Sequence, residues 1–173
     1  MIHAPNTGAF ISCRATTQEF METIMRRITI LGRNLTDEEI EQIKRLAEDA
    51  GMADEIEVVD AVGEPDPDCE DEIVVILASA DTCTDPALEA DLATTQRGGR
   101  RAVCVWPEDA APDAQPSDAM NKYAYSIIGP DAEKFRVVVT EEDQHCFEGP
   151  NGQPLPKPKT ERNLCVDEKA KAS

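Results

Sequence analysis

Apolar residues are spaced in two rhythms along this chain. Ile73-Val74-Val75-Ile76-Leu77 and Ala102-Val103-Cys104-Val105-Trp106 are unbroken apolar runs, as expected of strands covered on both faces in a parallel sheet. Between them Leu88, Leu92 and Ala93 recur at helical spacing, so Asp71 to Trp106 reads as strand, helix, strand, the unit that joins parallel neighbours. Upstream, Arg27-Ile28-Thr29-Ile30-Leu31 is rich in β-branched residues and stops at Gly32, and Glu55 to Val62 alternates as a second strand bounded by Gly63.

Helix signals fill the intervals. Thr36 followed by Glu39 is a capping box, and Ile40, Ile43, Leu46 and Ala47 form one stripe that ends before Gly51. Asp85-Pro86 predicts a second helix start, with aspartate at the cap and proline at the first position, and Gly98-Gly99 predicts its end. A third helix is expected over Asp118–Tyr125, a short strand over Ser126–Ile128 and a strong final strand over Phe135–Thr140. Glu64 to Glu70 and Pro107 to Pro116 read as loops. These elements predict an α/β fold, a three-layer flavodoxin-like sandwich with a mostly parallel sheet of about five strands. Residues 1–25 are expected as an N-terminal extension with a short helix near its end. Residues 26–140 form the α/β domain, and residues 141–173 an irregular proline-rich tail over the surface.

Composition sharpens this picture. The 173 residues suffice for one domain, and with 40% hydrophobic but only 4% aromatic residues the core must be aliphatic. The net charge is -18, and from Leu46 to Gln96 there are 16 acidic residues with no Lys or Arg. Such a surface repels phosphate backbones, which excludes direct nucleic-acid binding. It fits plain solubility, a basic protein partner, or a nucleic-acid mimic in an immunity or inhibitor protein; a homo-oligomer stays open. Six cysteines without a Cys-x-x-Cys pair, and two distant histidines, give no zinc-type spacing, so no metal is expected. The first residues lack a signal-peptide pattern and no apolar run approaches a membrane span, which predicts a cytoplasmic protein with reduced thiols and no membrane contact.

A parallel sheet gathers its loops at the carboxyl ends of its strands. Gly32-Arg33-Asn34, Asp60 to Gly63 and Ala78 to Asp85 are expected there. Gly32, Asn34, Ser79, Asp81 and Asp85 are therefore candidate ligand-binding residues. Glu89, one helical turn past Asp85, is the candidate catalytic carboxylate. Arg33 is a candidate anion contact, and Cys83 a candidate thiolate, although no histidine is near it in sequence to act as base. No G-x-G-x-x-G or P-loop is present, so no cofactor is called for.

The run Ser79-Ala80-Asp81-Thr82-Cys83-Thr84-Asp85, then Leu88-Glu89-Ala90-Asp91-Leu92, then Gly98-Gly99-Arg100-Arg101 before a strand resembles two related groups. These are the Toll/interleukin-1 receptor (TIR) domains and the nucleoside 2-deoxyribosyltransferase-like proteins. The resemblance spans roughly Arg26 to Val139, with about 30 residues carrying its specific part. It implies a nucleotide or NAD ligand and hydrolysis of an N-glycosidic bond, with Glu89 at the place of the catalytic glutamate. Asp85-Pro86-Ala87-Leu88 departs from the Gly-rich approach of the second group, and Thr82 from the aromatic that precedes the cysteine in the first.

Overall fold

A computed structural model describes residues 26–52, 56–69, 71–141 and 143–156. The expected extension and its helix before residue 26, and the chain after residue 156, lie outside the described residues. Five strands appear: β1 (Arg26–Leu31), β2 (Ile56–Val59), β3 (Asp71–Leu77), β4 (Arg101–Val105) and β5 (Ser126–Ile128). They form one sheet in the order β2-β1-β3-β4-β5, and every neighbouring pair is parallel. With helices on both faces this is the flavodoxin-like three-layer architecture.

Side-chain alternation divides each apolar run between two cores. In β3, Ile73, Val75 and Leu77 face one layer, packed with Ile43, Leu46 and Ala47 of α1 (Asp37–Asp49) and Phe135, Val138 and Val139 of α5 (Ala132–Thr140). Val74 and Ile76 face the other, with Leu88 and Leu92 of α3 (Leu88–Arg97) and Met120 of α4 (Asp118–Tyr123). All five β3 side chains are fully buried, which explains why the run carries no polar interruption.

The first helix forms as its cap predicts. Glu39 N–H donates to Thr36 Oγ1 at 3.3 Å and Thr36 N–H donates to Glu39 Oε2 at 2.8 Å, so both halves of the capping box are present. Gly51 follows with φ +74°, a left-handed conformation that costs glycine little.

Four expectations are corrected. Phe135–Thr140 is part of α5, not a strand. Asp131 caps it by accepting from Lys134 N–H at 2.9 Å, and Phe135, Val138 and Val139 fall on one helical face against the first core. The β-branched run favours a strand locally, but its 3.6-residue spacing fits the uncovered sheet face, and packing overrides propensity. The helix expected to open at Asp85-Pro86 begins at Leu88, after a turn over Pro86 and Ala87; Asp85 still accepts from Ala87 N–H at 2.9 Å, as a capping aspartate does, and also from Arg33. The loop before it contains a further one-turn helix, α2 (Ala80–Thr84), capped by Ser79. The second strand is also shorter than expected, because Val62 N–H leaves the sheet direction to donate to Asp91 Oδ1 at 3.0 Å.

Residues 145–155 return to the sheet. Phe147 bridges Ile127 of β5 in parallel, Glu148 is buried, and Trp106 Nε1–H donates to the Glu148 carbonyl at 2.8 Å. The Glu148 carboxylate accepts from Gly129 N–H at 2.8 Å and from Lys134 Nζ at 2.7 Å. The stretch next to β5 is thus anchored, while Pro154 and Pro156 are exposed. Among the described residues no helix is long and apolar enough to cross a membrane.

Candidate functional site

The strand order reverses at β1, which has β2 on one side and β3 on the other, so the ligand crevice of this architecture is expected above the carboxyl ends of β1 and β3. Gly32 ends β1 there. Its N–H donates to Val59 O at 2.8 Å, and a Cβ at this position would meet Val58 Cγ1 at 2.6 Å, so a larger residue here would have to displace the Val58 side chain. Asn34 takes φ +67°, which its short polar side chain tolerates.

The crevice is filled by the chain itself. Arg33 Nε donates to Asp85 Oδ2 at 2.7 Å, Nη2 to Asp91 Oδ2 at 2.5 Å and Nη1 to the Asp60 carbonyl at 2.9 Å. Asn34 Nδ2 adds a bond to Asp85 Oδ2 at 3.1 Å. Both carboxylate side chains are only 8% exposed. The Ala87 N–H and the Arg33 guanidinium hold Asp85 below the usual carboxylate range. Asn34 and Asp85, both candidate ligand-binding residues, meet each other in a knot that ties the β1 loop to the turn before α3, to α3 and to the chain after β2.

An open cleft lies one strand further along. About 530 Å³ in volume, it is bounded by the chain after β3, the chain after β4 and the first turn of α1. Ser79 and Asp81 line it together with Glu39, Cys83, Trp106 and Asp109. The Ser79 hydroxyl is committed locally, accepting from Thr82 N–H at 3.3 Å and lying 3.0 Å from Thr82 Oγ1. Asp81 and Asp109 are exposed, and among the described residues neither carboxylate has a hydrogen-bond partner. Glu39 turns one oxygen back to Thr36 N–H. Among the described residues no Lys or Arg lines the cleft. Its chemistry is that of hydroxyl and cation recognition, with carboxylate acceptors beside the nearly buried Trp106.

Cys83 does not meet the needs of a thiolate nucleophile. Burial pushes its thiol up, against the Ser117 N–H that favours the charged form, and Sγ sits 3.9 Å from Met120 Sδ. Glu89 stands apart from both places. It lies in the first turn of α3 with its side chain 59% exposed, paired with Lys122 Nζ of α4 at 3.0 Å, and is not among the residues of the cleft. Among the described residues no group of three or more His, Cys, Asp or Glu is arranged to hold a metal ion.

The expected site thus divides into three: Gly32, Asn34 and Asp85 in the Arg33 knot, Ser79 and Asp81 in the cleft, and Glu89 on the α3–α4 surface. Sequence reasoning did not single out Asp91, Trp106, Asp109 or Glu39. A signal for Asp91 was present: Leu88, Asp91, Leu92 and Thr95 share one helical face, and all four are buried, so a carboxylate on that stripe demands a buried partner. No protein-family model, curated protein or solved structure matches this chain.

Proposed function

We propose that this protein binds a nucleoside-type ligand, hydroxyl-rich and without free phosphate charge, in the cleft above β3 and β4. The observation that carries this reading is the lining: Asp81, Asp109 and Glu39 border a cavity with no basic residue among the described residues. Carboxylates are suited to accept hydrogen bonds from ribose hydroxyls. They repel a phosphate that no Lys or Arg neutralises, in a chain of net charge -18. The reading agrees with the resemblance to deoxyribosyltransferase-like and TIR proteins and narrows the ligand from nucleotide to nucleoside.

Titration calorimetry with adenosine, 2′-deoxyadenosine and nicotinamide riboside, each compared with its 5′-monophosphate, tests it. Nucleosides are expected to bind about tenfold or more tightly than the monophosphates, and Asp81→Asn to weaken them by about tenfold through loss of a charged acceptor. Absence of nucleoside binding, or tighter binding of the phosphates, overturns the proposal.

The resemblance further suggests that Glu89 breaks the N-glycosidic bond, with water adding at C1′ and the base leaving with a proton. For this the Glu89 carboxylate must part from Lys122, an exposed ion pair that solvent screens, and must reach a ligand from outside the cleft, which it does not line. Chromatography of the protein incubated with NAD and with nucleosides decides the step. Base released by wild type but not by Glu89→Gln supports it; equal release by both, or none by wild type, rejects it. A second reading, a non-catalytic acidic interaction module, rests on the base-free stretch from Leu46 to Gln96.

A further inference from the structure

We propose that the outer edge of β2 accepts a basic, extended segment of a partner protein as an added strand. The two edges of the sheet differ. At β5, Ile127 N–H donates to Cys146 O at 2.8 Å and Glu148 N–H donates to Ile127 O at 2.9 Å, so the chain covers that edge itself. At the other end, β2 pairs with β1 alone among the described residues.

The direction of the unpaired groups follows from the register. Leu31 pairs with Val59, and Gly32 N–H donates to Val59 O, so the N–H and C=O of Val59 point toward β1. Two residues back, Glu57 points the same way, which turns the backbone groups of Ile56 and Val58 outward. Val58 is also the exposed large hydrophobic side chain of the described residues, at 41%. A short row of free backbone donors and acceptors beside an exposed apolar side chain is the geometry to which peptides add as strands.

Charge selects the occupant. Glu57 in β2 and Asp60 just after it are exposed, and their carboxylates have no cationic partner among the described residues. Two copies of a chain with net charge -18 repel each other there, so the acids that block self-pairing are the same ones that draw in a Lys- or Arg-bearing strand. This surface is separate from the cleft, and the two proposals stand or fall independently.

The test uses the full chain and a fluorescent heptapeptide alternating Lys and Val, with a Glu and Val peptide as comparator. The Lys peptide is expected to bind, to weaken by about tenfold or more between low and high salt, and to slow amide exchange at Ile56 and Val58. Val58→Pro removes the outward N–H and leaves pairing with β1 in place, so it should weaken binding by about tenfold with the circular dichroism unchanged. If that variant does not fold, the double reversal Glu57→Lys with Asp60→Lys carries the same expectation. Binding that neither variant weakens, protection confined to other amides, or no binding at all overturns the proposal. So does a wild-type dimer that Val58→Pro dissociates, because the occupant is then a second copy.

Discussion

A single arginine organises the crevice of this fold. Arg33 neutralises one of two nearly buried carboxylates, shares itself between both, and closes on a backbone carbonyl, which only a planar multi-donor group does at once. Arg33→Ala leaves Asp85 and Asp91 without their cation, and removing one member of such a pair costs about 3 kcal/mol or more. Urea denaturation is expected to show that loss, with Arg33→Lys between the variant and wild type; a change below about 1 kcal/mol contradicts the role. These partners were not legible in the sequence, since Asp85 and Asp91 lie 52 and 58 residues from Arg33. Glu89 shows the converse. Its position in a familiar pattern was legible, whereas its pairing with Lys122, 33 residues on, was not.

At the scale of elements, the strands and α1 follow from local rules, and α5 does not. Phe-Arg-Val-Val-Val-Thr satisfies a strand and a helix equally as a pattern. The helix is favoured because Asp131 caps it and because the sheet face it covers, shared with α1, otherwise meets water. Helix and strand make opposite demands on neighbouring valines. Val138 is buried with Phe135 and Val139, while Val137 is only partly covered. Val138→Ala should therefore cost about 2 kcal/mol and Val137→Ala less than about 1 kcal/mol by thermal or urea unfolding. Comparable losses at the two positions, or a larger one at Val137, argue against the helical packing. The later start of α3 is a matter of two residues: Asp85 keeps its local bond to Ala87 N–H with one oxygen, and with the other it meets Arg33 from another element.

For the whole molecule, acidity and stability are linked through the carboxylates that the fold engages. Asp85 is held below its ordinary value, so it binds protons more readily unfolded than folded. Its contribution is present above the ordinary carboxylate value of about 3.9 and is lost as pH falls through its lower folded value. Relief of repulsion in a chain of net charge -18 acts in the opposite sense on acidification. The comparison with Asp85→Asn separates the two: between about pH 6 and pH 3 its unfolding free energy should fall less steeply than that of wild type, and parallel curves contradict the assignment.

By itself the sequence determined what neighbouring residues decide among themselves: the buried runs of β3 and β4, the capping box of α1, the turn at Gly51 and hence the layered α/β class. Those features depend on interactions a few residues apart and on the period of apolar positions. Only the tertiary structure decided the strand order, the helical state of α5, the filling of the crevice by Arg33 and the opening of a cleft beside it. It likewise set Trp106 against Glu148, 42 residues away. Each of these is a choice among partners distant in sequence, settled by which buried polar groups and apolar faces are satisfied together when the sheet closes.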